Sequence, residues 1–156
     1  MRLGEKRKCS RHDGLGGLLA LALFVWAAPS SALDRGEYLY TLHCSGCHVR
    51  DGSGSTEGRI PRLAGQIGHF LKLPEGRRFV LQVPGVMNSG LGNEDVEKLM
   101  NWMVPHFAGA SLDRTFIPFT VDEIAAARKQ RPADIFAVRR GIATDLRKGG
   151  AVVDEY

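Results

Sequence analysis

The densest chemistry in this 156-residue chain lies in five consecutive residues, Cys44-Ser45-Gly46-Cys47-His48. Two thiols at this spacing can form a disulfide, a redox pair or part of a zinc site. A thioredoxin-like pair sits at a strand-to-helix junction, and nothing here alternates between strand and helix patterns. Zinc needs further Cys or His ligands at fitting spacing. The adjacent His48 favours a fourth chemistry, attachment of c-type haem. There, two thiols meet the two vinyl groups on one porphyrin edge, and the next residue turns its imidazole under the iron. Cys9, the only other cysteine, lies in an N-terminal stretch with the pattern of an export leader.

Elements with recognisable signals surround these residues. Asp34 and Glu37 have the spacing of a helix N-cap and its capping-box partner. The helix they open carries Gly36 and Tyr40 on one face. Asp51-Gly52-Ser53-Gly54 reads as a tight loop. Asn93 is placed to cap a helix that opens with Glu94 and Asp95, both suited to the positive end of its dipole. Val96, Leu99, Met100 and Met103 then recur at helical spacing. Ten of the 19 glycines fall within residues 46–92, where a backbone wrapping a flat ring would use them.

On these features, residues 34–104 resemble the class I mono-haem cytochromes c. The resemblance implies an all-α, cytochrome c-like helical fold around one covalently bound haem c. It implies that Cys44 and Cys47 carry the haem and that His48 is an axial iron ligand. Gly36 and Tyr40 match the family's first helix, where a small residue lets the last helix cross closely, and Trp102 is the aromatic facing it. Ile60-Pro61-Arg62-Leu63-Ala64-Gly65-Gln66 is similar to the family's proline-containing stretch, so the Pro61 carbonyl would accept from the second ring nitrogen of His48. Val49 is a departure, standing where a glycine is common.

The family's sixth ligand is a methionine in a loop before the last helix, which points to Met87 in Val83-Pro84-Gly85-Val86-Met87-Asn88-Ser89-Gly90-Leu91. Met100 and Met103 are rivals, but they sit at apolar helical positions, where methionine usually fills core. His43 has no room to fold back. His69 and His106 read as facing solvent or capping a helix end. An open sixth position is the remaining alternative. Leu39, Leu63, Ile67, Phe70, Leu71, Val83 and Leu99 are candidates to bury the ring. Arg50, Arg59, Arg62, Lys72, Arg77 and Arg78 form either a solvated face or, in part, a partner for haem propionates.

The formal charge of +4 would suggest a nucleic-acid partner, but its source argues otherwise. Outside residues 1–32 the chain has sixteen basic and fifteen acidic residues. Residues 1–32 follow the three-part plan of a signal peptide: a basic start, the apolar run LGGLLALALFVWAA, then Ser30 and Ala32 before a cut after Ala32. No twin-arginine pair precedes the run. An uncleaved leader would serve as a membrane anchor. Either way the remainder is expected outside the cytoplasm, in the periplasm, with residues 33–106 as the cytochrome c domain.

No nucleophile–base pair or second metal site is apparent, so the expected role is electron transfer, not catalysis. The expected partners are redox proteins: a periplasmic dehydrogenase, an oxidase or another cytochrome. The chain would accept electrons from the dehydrogenase and pass them towards the respiratory chain. The alternative role is a haem-bearing subunit of a periplasmic dehydrogenase complex. A third, a gas sensor or peroxidase, requires the open sixth position.

Residues 107–156 lie beyond the resemblance and read as a helical C-terminal extension. Residues 113–118 read as linker. Thr120-Val121-Asp122-Glu123 is a capping box, with Phe119 and Ile124 placed as a hydrophobic staple. Pro132 fits the first turn of a second helix, whose expected apolar stripe is Ile135, Val138, Ile142 and Leu146. Such a stripe needs cover. It is expected either to brace the cytochrome core or to dock on a partner enzyme.

Overall fold

The computed structural model describes residues 33–113 and 115–154. The expected leader, residues 1–32, lies outside them. The described residues are all-α. In chain order they form α1 (Arg35–His43), α2 (Ser45–His48), α3 (Ile67–Phe70), α4 (Pro74–Gln82), α5 (Pro84–Met87), α6 (Asn93–Ala108), a 3-10 turn (Gly109–Ser111), α7 (Val121–Arg128) and α8 (Ile135–Lys148). Extended pairing among them is limited to one antiparallel bridge, Ser55 to Ile60.

The framework is the crossing of α1 on α6. Asp34 caps α1, accepting from the Gly36 amide at 2.7 Å; the Glu37 amide is not the donor. Gly36 faces the Lys98 carbonyl and the Trp102 side chain so closely that a Cβ would collide with both. Tyr40, one turn on, packs against Trp102 and Phe107 with ring centroids 5.6 and 4.8 Å away. Leu39, Val96, Leu99, Met100, Met103 and Val104 are buried around this crossing. Full burial of each such side chain contributes about 1.5–3 kcal/mol. Arg35 reaches across to Asp95 with paired guanidinium–carboxylate contacts of 2.9–3.1 Å.

The start of α6 differs from expectation. Its N-cap is Gly92, without a side-chain cap, and Asn93 is its first helical residue. The Asn93 amide oxygen instead accepts from Arg128 at 2.9 Å. The helix also passes through Pro105 and ends at Ala108.

The extension shares the core. Phe119, Ile124, Ala127, Ile142, Ala143, Leu146 and Val153 are buried in the same cluster as Phe70, Phe79 and Leu81. Helix α7 packs against α4 and α6, and α8 against α3 and α4. Thr120 caps α7 as expected, accepting from the Glu123 amide at 3.2 Å, and both staple residues are buried. The carboxylate of Glu123, however, leaves the box to pair with Arg77 at 2.6 and 2.8 Å.

Pro132 lies outside helix, and Asp134 is the N-cap of α8, accepting from Phe136 and Ala137 amides at 2.9 Å. The buried face of α8 is Arg139, Ile142, Ala143 and Leu146. Ile135 is half-buried and Val138 exposed, so the stripe is rotated from the expected one. The rotation brings Arg139 over the Phe70 ring, 5.7 Å from its centroid, and onto the Asp154 carbonyl at 2.9 Å.

Candidate functional site

Cys44 ends α1 and opens α2, so the whole pentapeptide occupies a single turn. That turn is closed by the Cys47 and His48 amides, which donate to the Cys44 carbonyl at 3.1 and 2.9 Å. Ser45 ties it back to α1 through the Thr41 carbonyl at 2.8 Å. Both cysteines are unbridged; Cys44 is half-buried and Cys47 exposed. Burial, with the nearby Cys47, pushes the Cys44 thiol up to about 11. It is therefore protonated at neutral pH.

Beyond the turn the chain is pinned by Tyr40, whose hydroxyl donates to the Val49 carbonyl at 2.6 Å. Burial, first of all, pushes that phenol up to about 12. Val49 itself has φ 61° and ψ 161°, a region that is essentially glycine territory. The departure seen in the sequence thus falls on a backbone conformation that glycine accepts without strain.

His48 Nδ1 lies 3.0 Å from the Pro61 carbonyl oxygen. A carbonyl only accepts, so Nδ1 carries the proton and Nε2 keeps its lone pair. Burial holds the imidazole below its ordinary value, opposed by the Pro61 bond. A ligating histidine needs this protonation state, and the backbone contact orients it.

The Pro61 carbonyl is itself held by stitching between two segments. Ser55 and Ile60 exchange amide–carbonyl bonds at 3.0 and 2.8 Å, and the Leu63 and Ala64 amides both donate to the Gly52 carbonyl. Gly54 lies against the Ile60 and Pro61 carbonyls, with no room for a Cβ. Its amide donates to the His48 carbonyl at 3.0 Å, which closes the circuit back to the histidine.

Four of the expected site residues, Cys44, Cys47, His48 and Pro61, are thus brought together. Met87 belongs to a second element. It is half-buried at the end of the one-turn helix α5, which Val83 and Pro84 start. Among the described residues no hydrogen bond or ring contact joins Met87 to His48. Met100 and Met103 are buried in α6 as core residues.

His43 and His106 are exposed, and His106 stacks on Trp102 at 4.3 Å. His69 differs from expectation: its Nδ1 is buried without a hydrogen-bond partner, and burial, then the charge of Lys72, lowers its pKa.

Of the candidate ring-burying residues, Leu39, Ile67, Phe70 and Leu99 are buried, while Leu63, Leu71 and Val83 are partly so. Three of the six basic candidates are paired with acids of the region after α6. Arg62 meets Asp154 at 2.9 Å, Lys72 meets Asp113 at 3.8 Å, and Arg77 meets Glu123. Arg50, Arg59 and Arg78 are exposed.

Among the described residues no three His, Cys, Asp or Glu side chains are grouped as a metal-ion site. The donor set is narrower: one oriented imidazole and two free thiols on the same turn. That set suits a porphyrin iron attached through its vinyl edge, which asks for one nitrogen ligand beside two thioether links. No family model matches the chain, and no curated protein matches it.

Proposed function

We propose that this chain is an exported c-type cytochrome, similar to class I, that carries single electrons between periplasmic redox proteins. The observation that supports this most is the His48 Nδ1–Pro61 carbonyl contact beside two unbridged thiols. A haem held there supplies a one-electron ferric–ferrous couple. Cys44 and Cys47 would add across its vinyl groups as thioethers. His48 would be the nitrogen ligand through Nε2, kept in orientation by Pro61. Met87 would be the sixth ligand, and its soft thioether would favour ferrous iron over ferric relative to a second imidazole. Leu39, Ile67, Phe70 and Leu99, all buried, would keep water from the group and disfavour its extra positive charge. Of the six candidate bases, Arg50, Arg59 and Arg78 are exposed and would be left to meet propionates.

The test is mass and extraction. Protein exported with a working haem-maturation system should have the mass of residues 33–156 plus one haem, and the haem should resist acid–acetone. His48→Ala should yield little stable holoprotein. In the ferric protein, Met87→Ala should abolish the weak far-red charge-transfer band of iron–thioether bonding. A mature protein of bare polypeptide mass would refute the reading.

A further inference from the structure

The segment that carries Met87 is poorly suited to hold itself. Helix α5 has four residues, too few to persist alone. Gly85, Gly90 and Gly92 lie within or beside it. Its internal bonds are local: Val86 and Met87 amides to the Val83 carbonyl, Asn88 amide to Pro84, Ser89 hydroxyl to Val86. Val86 is its buried apolar anchor.

The hydrogen bonds that tie it to distant chain come from the end of α7. Arg128 Nη1 donates to the Leu91 carbonyl and to Asn93 Oδ1, both at 2.9 Å. Arg131 Nη2 donates to Asn88 Oδ1, next to Met87, at 2.7 Å. On the other flank, Gln82 Nε2 donates to the Ala127 and Gln130 carbonyls. Residues 127–131 therefore grip the chain just before, within and just after the Met87 turn.

We propose that residues 127–131 form a clamp that holds the Met87 turn in register with the rest of the site, with Arg128 as its positioning residue. The role in iron ligation rests on Met87 being the sixth ligand. A thioether is a weak ligand that an external nitrogen base displaces whenever its loop swings away, so the loop's opening equilibrium sets the base's apparent affinity. Arg128 suits this task. Its two bonds are charge-assisted and partly buried, hence stronger than neutral surface contacts.

The test uses the matured holoprotein and two readouts: imidazole binding to the ferric form, followed by the Soret band, and amide hydrogen exchange over residues 86–91. Arg128→Ala should bind imidazole about tenfold more tightly, and its 86–91 amides should exchange about tenfold faster, from the loss of charged hydrogen bonds. Arg128→Lys should fall between it and the parent.

The control is Asn101→Ala. Asn101 joins α6 to the start of α7 through paired bonds to Phe119, at 3.0 and 2.7 Å. It should lower the melting temperature yet leave both readouts unchanged. If Arg128→Ala behaves like the parent, or Asn101→Ala matches it at equal loss of melting temperature, the clamp is refuted. If Met87→Ala keeps the far-red band, the ligand assignment fails instead, and exchange over 86–91 alone decides the clamp.

Discussion

At the residue scale, the informative position is Val49, whose backbone conformation is one that glycine accepts. Val49 follows His48 directly and takes φ 61° with its β-branched side chain 44% exposed. Its carbonyl is held by Tyr40 and its conformation sets the path into the 51–54 turn, so the backbone does not relax elsewhere. A β-branched residue here costs about 1–3 kcal/mol of local strain. Glycine removes the strain but adds freedom to the unfolded chain, worth somewhat under about 1 kcal/mol. Little packing is lost from so exposed a side chain. Val49→Gly should therefore stabilise the protein by about 1 kcal/mol, read as a higher urea midpoint at unchanged slope. A lower midpoint would mean that the Val49 side chain packs more productively than its exposure indicates.

At the element scale, Arg77 shows how the extension is fastened. The sequence offers it as one of six bases near a candidate haem; the structure turns it towards the extension. It pairs with Glu123, donates to the Ile117 and Pro118 carbonyls at 2.8 and 3.1 Å, and lies 4.0 Å above the Phe119 ring. A planar fork is needed to satisfy all of these at once. Arg77→Lys should cost about 1–2 kcal/mol despite keeping the charge, since charged hydrogen bonds to carbonyls are lost. Equal stability of Lys and Arg variants in urea would contradict that account.

The same contacts explain what local pattern could and could not foretell. Asp34, Thr120, Gly36 opposite Trp102, and Pro61 against His48 stand where their neighbours in sequence, or the resemblance, put them. Asn93 and Glu123 do not complete the caps their spacing suggests, because Arg128 and Arg77, more than 30 residues away in sequence, take their side-chain oxygens. Helix α8 misleads for a related reason. Its buried arginine is matched to Phe70 and the Asp154 carbonyl, so an apolar-only stripe picks the wrong phase.

At the scale of the whole molecule, residues 107–156 can serve either as a brace on this chain's own core or as a docking arm for another protein. Helices α7 and α8 pack against α3, α4 and α6, with Phe119, Ile124, Ile142, Leu146 and Val153 each at most 5% exposed. Gln66 adds a polar seam, accepting from the Asp154 amide at 2.9 Å and donating to the Val152 carbonyl at 3.4 Å. Burying five large apolar side chains at about 1.5–3 kcal/mol each is offset in large part by the entropy of ordering the extension. These side chains also cover Phe70, Phe79 and Leu81 in the same cluster, so their loss bares apolar surface on both sides, against a domain stability of only about 5–15 kcal/mol. Removing the chain after Ala108 should therefore prevent stable folding, not merely free a docking arm. Because a failure to fold says little by itself, the sharper measurement uses single cavities. Ile124→Ala and Leu146→Ala should each cost about 2–5 kcal/mol. Each should shift the unfolding of Trp102, in α6, and the hydrogen exchange of α8 to the same new midpoint, as one cooperative unit requires. Separate midpoints for Trp102 and α8 would show the extension unfolding on its own, and the brace would then have to be abandoned.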